Sequence, residues 1–254
     1  MIRVHRTAEP AALRAGLTET AKWVSAVRAD RAAFASGAKT VEFVDAIYRD
    51  PTVKGALVQA QRGKCAFCES SFDHVSYGDV EHFRPKGGFR QRRRGALRRP
   101  GYYWLAYAWE NLLVACEVCN RSFKRNWFPL EHRSPRARGP NADLSRERPR
   151  LVNPATEDPA AHITFHDHLA VAHPGDVRGR ASIRAYGLNR KTIRTRRRDF
   201  IDKLGTLLDA AEELPPASPK ARKVRDLLRR VCDPSHEYSA MIRAYLVARG
   251  VTLD

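Results

Sequence analysis

Two short cysteine pairs constrain this chain more than any other feature. Cys65-Ala-Phe-Cys68 and Cys116-Glu-Val-Cys119 each have the two-residue spacer that lets both sulfurs reach one tetrahedral ion. Four thiolates would close the coordination sphere of a Zn²⁺, so such a zinc is structural and leaves no position for a substrate. Residues 69 to 115 lie between the pairs, far more than the roughly 15–20 of a simple zinc ribbon. A substantial insertion must therefore fold between the two knuckles. The bland alternatives are redox motifs or unligated core thiols. A redox pair normally opens a helix in a βαβ unit, and no such unit is legible here. The fifth cysteine, Cys232, stands alone in a helical stretch and reads as a small core residue.

On either side of this middle the texture is helical. Between residues 8 and 62, Ala12, Leu13, Leu17, Ala21, Trp23, Val24 and Val27 recur at helical spacing. A second stripe, Val41, Val44, Ile47, Val53, Leu57 and Val58, is interrupted near Asp50-Pro51. After residue 176 the segments RASIRAYGLNR and KTIRTRRRDFIDKLGTLLDAAEEL, a stretch after Pro219 and another from about His236 are expected to be helices. Pro215-Pro216 separates two of them. Residues 131 to 160 hold five prolines among many charges and read as a wandering surface connection. The expected organisation is an N-terminal helical region (1–62), a compact middle (63–130), a proline-rich connection (131–175) and a C-terminal helical region (176–254).

Charge narrows the partner. Forty-six Lys and Arg against 28 Asp and Glu give a formal net charge of +18, a footprint that fits a polyanion such as nucleic acid. An arginine-favouring genome would produce some of the same excess. No run of about 18 apolar residues exists, and the start lacks the apolar stretch of a signal peptide, so no membrane partner and a cytoplasmic location are expected.

Within the middle, the order is CxxC, then Glu81-His82, then Asn111 with Leu112, then CxxC followed directly by Asn120 and, four residues on, Lys124. This order resembles the HNH endonucleases of the ββα-metal type. The stretches KCAFCE, VEHFRPK, GYYWLAYAWENLLVACEVCNRSFKRNWFPL and LVNPATEDPAAHITF resemble, more narrowly, the HNH proteins of Septu and retron anti-phage systems, with a weaker likeness through IRAYGLNRKTI. The resemblance implies an α+β chain: mostly helical flanks around a small ββα-metal core with a structural four-cysteine zinc site. It implies His82 as the general base and Glu81 with the Asn120 amide oxygen as ligands of a catalytic Mg²⁺ or Mn²⁺. Asn111 would fix the histidine loop through hydrogen bonds. A neutral imidazole is a suitable base near neutral pH, and a hard cation prefers oxygen ligands. Glu81 replaces the commoner aspartate of the family. The resemblance further implies an SMC/ABC-type ATPase partner, with DNA as the default substrate and RNA also compatible. The rival reading is a non-catalytic, zinc-stabilised nucleic-acid-binding or assembly protein, which would not require Glu81, His82 and Asn120 in that order.

Residues 84 to 99 carry eight cations and no acid immediately after the proposed base. Arg84, Lys86, Arg92, Arg93, Arg94 and, beyond the second knuckle, Lys124 are therefore expected to contact phosphates. The cluster Arg194, Arg196, Arg197 and Arg198 reads as a solvated helix face. Asp79 is within reach of the expected metal in sequence but reads rather as a solvent-facing turn acid. Tyr102, Tyr103, Trp104, Tyr107 and Trp109 have helical spacing and read as core. His162, His166, His168 and His173 have no clear ligand geometry.

Overall fold

The computed structural model describes residues 1–251 except 73, 75 and 216. The end of the C-terminal region at 252–254 and the second proline of the 215–216 pair lie outside the described residues. The chain is α+β, with helices surrounding two small antiparallel hairpins.

The N-terminal helices are α1 (Ala15–Ala29), α2 (Arg31–Ser36), α3 (Asp45–Tyr48) and α4 (Pro51–Ala60). Their limits follow from local chemistry. The Asp30 side chain caps α2 by accepting from the Ala33 amide, and Gly37 ends it at φ 86°. Asp50 caps α4, with Pro51 in its first turn, where a missing N–H costs nothing. Helix α1 runs close to the aromatic segment: a Cβ on Gly16 would lie 2.3 Å from Tyr107 Cβ, so glycine is required there. Two residues of the expected stripe, Leu17 and Ala21, face solvent instead.

Strand β1 (Asp79–His82) pairs antiparallel with β2 (Leu112–Ala115) in the register Asp79–Ala115, Val80–Val114, Glu81–Leu113 and His82–Leu112. All four β2 side chains are buried. A short π-helical segment, Val118–Lys124, follows β2 directly. Strand, strand and helical turn thus follow one another between and across the cysteine pairs.

The connection contains an element that its prolines conceal. Strands β3 (Ile163–His166) and β4 (Leu169–Ala172) form a hairpin around Asp167 and His168. The alternation in ITFHDHLAVA carries this signal, which the reading of 131–175 as a proline-rich connection does not include. Helix α5 (Val177–Ala185), capped by Asp176, packs so closely on the hairpin that a Cβ at Gly179 would lie 2.2 Å from the His162 carbonyl oxygen.

Helices α6 (Lys191–Glu212), α7 (Pro219–Cys232) and α8 (Ser239–Ala248) complete the chain. The buried face of α6 runs Ile193, Arg197, Ile201, Leu204 and Leu208, three or four residues apart. Arg197 is consequently not on a solvated face. Its guanidinium is fully buried, donating to the carbonyls of Leu188 at 2.8 Å and Cys68 at 3.3 Å. Tyr102, Tyr103, Trp104, Tyr107 and Trp109 are all buried, as core residues should be, although the segment forms only short 3₁₀ turns. One continuous apolar core links the N-terminal helices, the β1–β2 hairpin and α6 to α8. Among the described residues no helix is long and apolar enough to cross a membrane.

Candidate functional site

The β1–β2 hairpin sets the geometry of the candidate residues. Asn111 sits immediately before β2, opposite the end of β1, where the Phe83 amide donates to the Asn111 carbonyl at 2.9 Å. Its side-chain Oδ1 accepts from the Arg84 amide at 2.8 Å. Its Nδ2 donates to the carbonyls of Arg84 and Leu105, each at 3.0 Å. One buried amide therefore ties the loop after His82 to the aromatic segment.

His82 closes β1 and is 7% exposed. Its Nε2 lies 2.9 Å from the carbonyl oxygen of Ala106. A carbonyl can only accept, so Nε2 carries the proton and Nδ1 keeps its lone pair. The Tyr48 ring covers the imidazole edge-to-face, with centroids 4.8 Å apart. Burial, reinforced by the nearby Lys86 charge, pushes the His82 pKa down to about 3. The ring is thus neutral at ordinary pH.

Glu81 takes different partners. Its carboxylate, itself pushed upward by burial, forms a buried ion pair with the Lys124 ammonium. Lys124 Nζ also donates to the His82 carbonyl at 2.9 Å. Two residues earlier in the strand, and so on the same face, Asp79 accepts from Asn120 Nδ2 at 3.1 Å and Arg121 Nε at 2.8 Å. Asn120 and Lys124, four apart on the helical segment, thereby meet acids two apart on the strand. Asp79 belongs to this contact rather than to a solvent-facing turn. Asn120 meets Asp79 and not Glu81.

The cations fall into two groups. Arg84 is held at 3.0 Å by Glu147 and lies over the rings of Phe83, Tyr102 and Phe128. Lys86 reaches the Tyr48 hydroxyl, sits 3.4 Å from Asp45 Oδ1 and packs 4.0 Å over the Tyr48 ring. Lys124 is fully buried. Arg84 and Lys124, both expected at phosphates, are thus each paired with an acid of the protein, Glu147 and Glu81 respectively. Arg92, Arg93 and Arg94 are exposed.

The four cysteines converge. The Sγ atoms of Cys65, Cys68, Cys116 and Cys119 lie within 4.8 Å of one another, with Cys68 and Cys116 3.8 Å apart. A tetrahedron with Zn–S bonds of about 2.3 Å has edges of about 3.8 Å, so the set fits a structural Zn²⁺. None of the four is in a disulfide. Arg190 from the loop before α6 points Nη1 at Cys119 Sγ (3.4 Å) and Nη2 at Cys68 Sγ (3.7 Å). Hydrogen bonds from Cys116, Cys119 and Cys65, with the Arg190 charge, hold the Cys68 thiol well below the ordinary range. Sequence reasoning misses both Arg190 and Tyr48 as site residues, since nothing local marks an arginine 71 residues from Cys119 as its neighbour.

The four histidines disperse. His162 pairs with Asp176 at 2.7 Å, and His173 Nε2 lies 2.8 Å from the Ala160 carbonyl. His168 stands near Arg198 at 3.5 Å, and His166 is exposed. Among the described residues the cysteines are the only group of three or more ligand residues placed to share a metal.

No protein-family model matches the chain. It is 39% identical over 194 residues to the Septu protein PtuB of Bacillus mycoides strain KBAB4, an alignment covering 76% of this chain and 64% of that protein. The chain is PtuB-like. A second Septu protein PtuB, from Bacillus thuringiensis, is 24% identical over 226 residues, covering 82% of this chain and 74% of its own length. The chain therefore spans slightly less than two thirds of the first PtuB relative. The Septu resemblance read from the motifs and the PtuB likeness agree.

Proposed function

We propose that the chain is a metal-dependent HNH endonuclease that hydrolyses nucleic-acid phosphodiester bonds, DNA foremost. Its context would be anti-phage defence in the cytoplasm beside an SMC/ABC-type ATPase. The observation that carries this reading is the 2.9 Å contact between His82 Nε2 and the Ala106 carbonyl oxygen. With Nε2–H committed to the Ala106 carbonyl, a neutral imidazole keeps Nδ1 as a proton acceptor. It stands at the end of a strand whose hairpin partner leads straight into the segment bearing Asn120.

In this mechanism Nδ1 of His82 takes a proton from water as the water oxygen bonds to phosphorus. The bond from phosphorus to the leaving oxygen breaks, and that oxygen is reprotonated from solvent. Asn111 holds the His82 loop in place. The carboxylate of Glu81 and the amide oxygen of Asn120 are hard donors suited to Mg²⁺ or Mn²⁺. When bound, that cation supplies charge stabilisation at the phosphoryl and leaving oxygens. Glu81 and Asn120 would then exchange their present partners, Lys124 and Asp79. The zinc would be structural.

The burial of His82 and the Glu81–Lys124 ion pair favour a second reading, a non-catalytic zinc-stabilised nucleic-acid-binding or assembly protein. Cleavage of labelled DNA and RNA with Mg²⁺ or Mn²⁺, with and without the ATPase, separates the two. The nuclease reading expects divalent-dependent cleavage by the wild type that Glu81→Gln and Asn120→Ala reduce at least tenfold. Equal cleavage by all three would overturn it.

A further inference from the structure

An open groove of about 600 Å³ is lined by Phe123 of the Val118–Lys124 segment, Arg93 of the basic loop, and residues of β4 and α5. Four arginines line it: Arg93, Arg180, Arg184 and Arg190. No acidic side chain is among its lining residues. Arg190 is turned toward the cysteines, but Arg93, Arg180 and Arg184 are exposed and have no ion-pair partner among the described residues. This distinguishes them from Arg84, Lys86 and Lys124, each of which already has an acid.

The groove is not only cationic. Phe123 and Ile183 form an apolar floor. The Phe123 ring rests against Gly187, where a Cβ would come within 2.5 Å of it, and the Arg93 guanidinium lies 5.8 Å from the ring centroid. Guanidiniums without an acid partner beside an aromatic ring suit a ligand with both a phosphate and a flat apolar ring, the Arg93 guanidinium over Phe123 giving way to or stacking on the incoming base. The volume is in the ordinary range of small-ligand sites, roughly 300–1,000 Å³. A bare phosphate would make no use of the floor, and an acidic peptide would not need a planar one.

We propose that this groove seats one phosphorylated nucleoside unit, its phosphate on Arg180, Arg184 and Arg93 and its base on Phe123 and Ile183. The unit is either a free nucleotide or one residue of a nucleic-acid strand. Phe123 and Asn120 share the Val118–Lys124 segment, so an occupied groove would hold a strand on the element that carries Asn120. The assignment rests on the proposed action on nucleic acid but not on cleavage at His82.

The test is fluorescence anisotropy without divalent cation, in a His82→Ala background, using a fluorescein-labelled 12-mer of oligodeoxythymidylate. Binding stays readable there even if the nuclease reading fails. The double variant R180A/R184A should weaken binding at least tenfold and lower the salt slope by about 1.4, the loss of two contacts at roughly 0.7 each for single strands. The double lysine variant R180K/R184K should recover most of that slope. Both residues are exposed, so melting temperature and zinc content should match the parent. AMP should displace the oligonucleotide at least tenfold more effectively than inorganic phosphate if a free nucleotide fits the groove. If the strand is the occupant, AMP fails to displace it while an unlabelled 12-mer succeeds. Unchanged 12-mer affinity and slope in R180A/R184A would overturn the proposal. Displacement by polyglutamate or inorganic phosphate as effective as by the unlabelled 12-mer would also overturn it.

Discussion

Lys124 and Glu81 form an ion pair sealed between β1 and the π-helical segment, and the same ammonium holds the His82 backbone carbonyl. This pair fixes the strand that carries the candidate chemistry to the helical segment that carries Asn120. Removing one member leaves an uncompensated buried charge, which typically costs about 3–5 kcal/mol. Lys124→Met is expected to lower the unfolding free energy in urea by that order. The double variant Lys124→Met, Glu81→Gln should recover part of the loss. Strictly additive effects would show that the two side chains do not act as a pair.

The zinc assignment makes a separate prediction. Cys116→Ser should release the metal and unfold the middle of the chain, followed by zinc content and near-ultraviolet dichroism. Arg190→Gln should leave the fold intact while weakening zinc affinity about 10–100-fold in a chelator competition, as loss of an outer-shell partner typically does. A Cys116→Ser variant that remained folded and zinc-loaded would contradict the shared site.

Asn111 makes three hydrogen bonds from one buried amide. Asn111→Asp keeps the acceptor for the Arg84 amide but loses both donations, leaving the Arg84 carbonyl unsatisfied and the Leu105 carbonyl with only the Ala108 amide at 3.4 Å. An unsatisfied buried group costs about 1–3 kcal/mol. The variant should therefore melt earlier, with hydrogen exchange rising first at Phe83, Arg84 and Leu105.

One source of acid sensitivity lies away from the candidate site, at the packing of α5 on the connection. Burial pushes the Glu157 carboxyl up, but hydrogen bonds from Arg178 and the Asn153 amide outweigh it, and the net shift is downward. A folded pKa below the unfolded value, about 4.3, gives stability that is present above that value. It is lost as pH falls through the folded pKa. Glu157→Gln should flatten the acid limb of a melting-temperature profile below about pH 4.3; an unchanged limb would remove Glu157 from the account.

The sequence revealed some levels of this structure far better than others. Helix limits near Asp50-Pro51 and Ser218-Pro219 were legible because capping and proline chemistry is local. The cysteine cluster was legible because tetrahedral coordination demands short spacers. The β3–β4 hairpin was hidden by the prolines before it, although its residues alternate as a strand pair should. The partners of the charges were not legible at all. Arg197 looked like part of a solvated run, yet helical periodicity turns it inward onto the Cys68 carbonyl. That Arg84 and Lys124 each have an acid partner is not legible, because sequence gives charge but not distance. Their acids, Glu147 and Glu81, lie 63 and 43 residues away. The same blindness hid the groove at Arg180 and Arg184, whose Phe123 floor comes from a different region of the chain.

The central proposal turns on one atom, Nδ1 of His82. Its most direct test is the single-turnover cleavage rate of His82→Ala against wild type, with the ATPase and Mg²⁺ or Mn²⁺ present. Zinc content and melting temperature would be matched in both proteins. A lost general base should slow cleavage by about 10²–10⁴-fold, with substrate affinity retained. Cleavage at the wild-type rate by a folded, zinc-loaded His82→Ala protein would contradict the assignment.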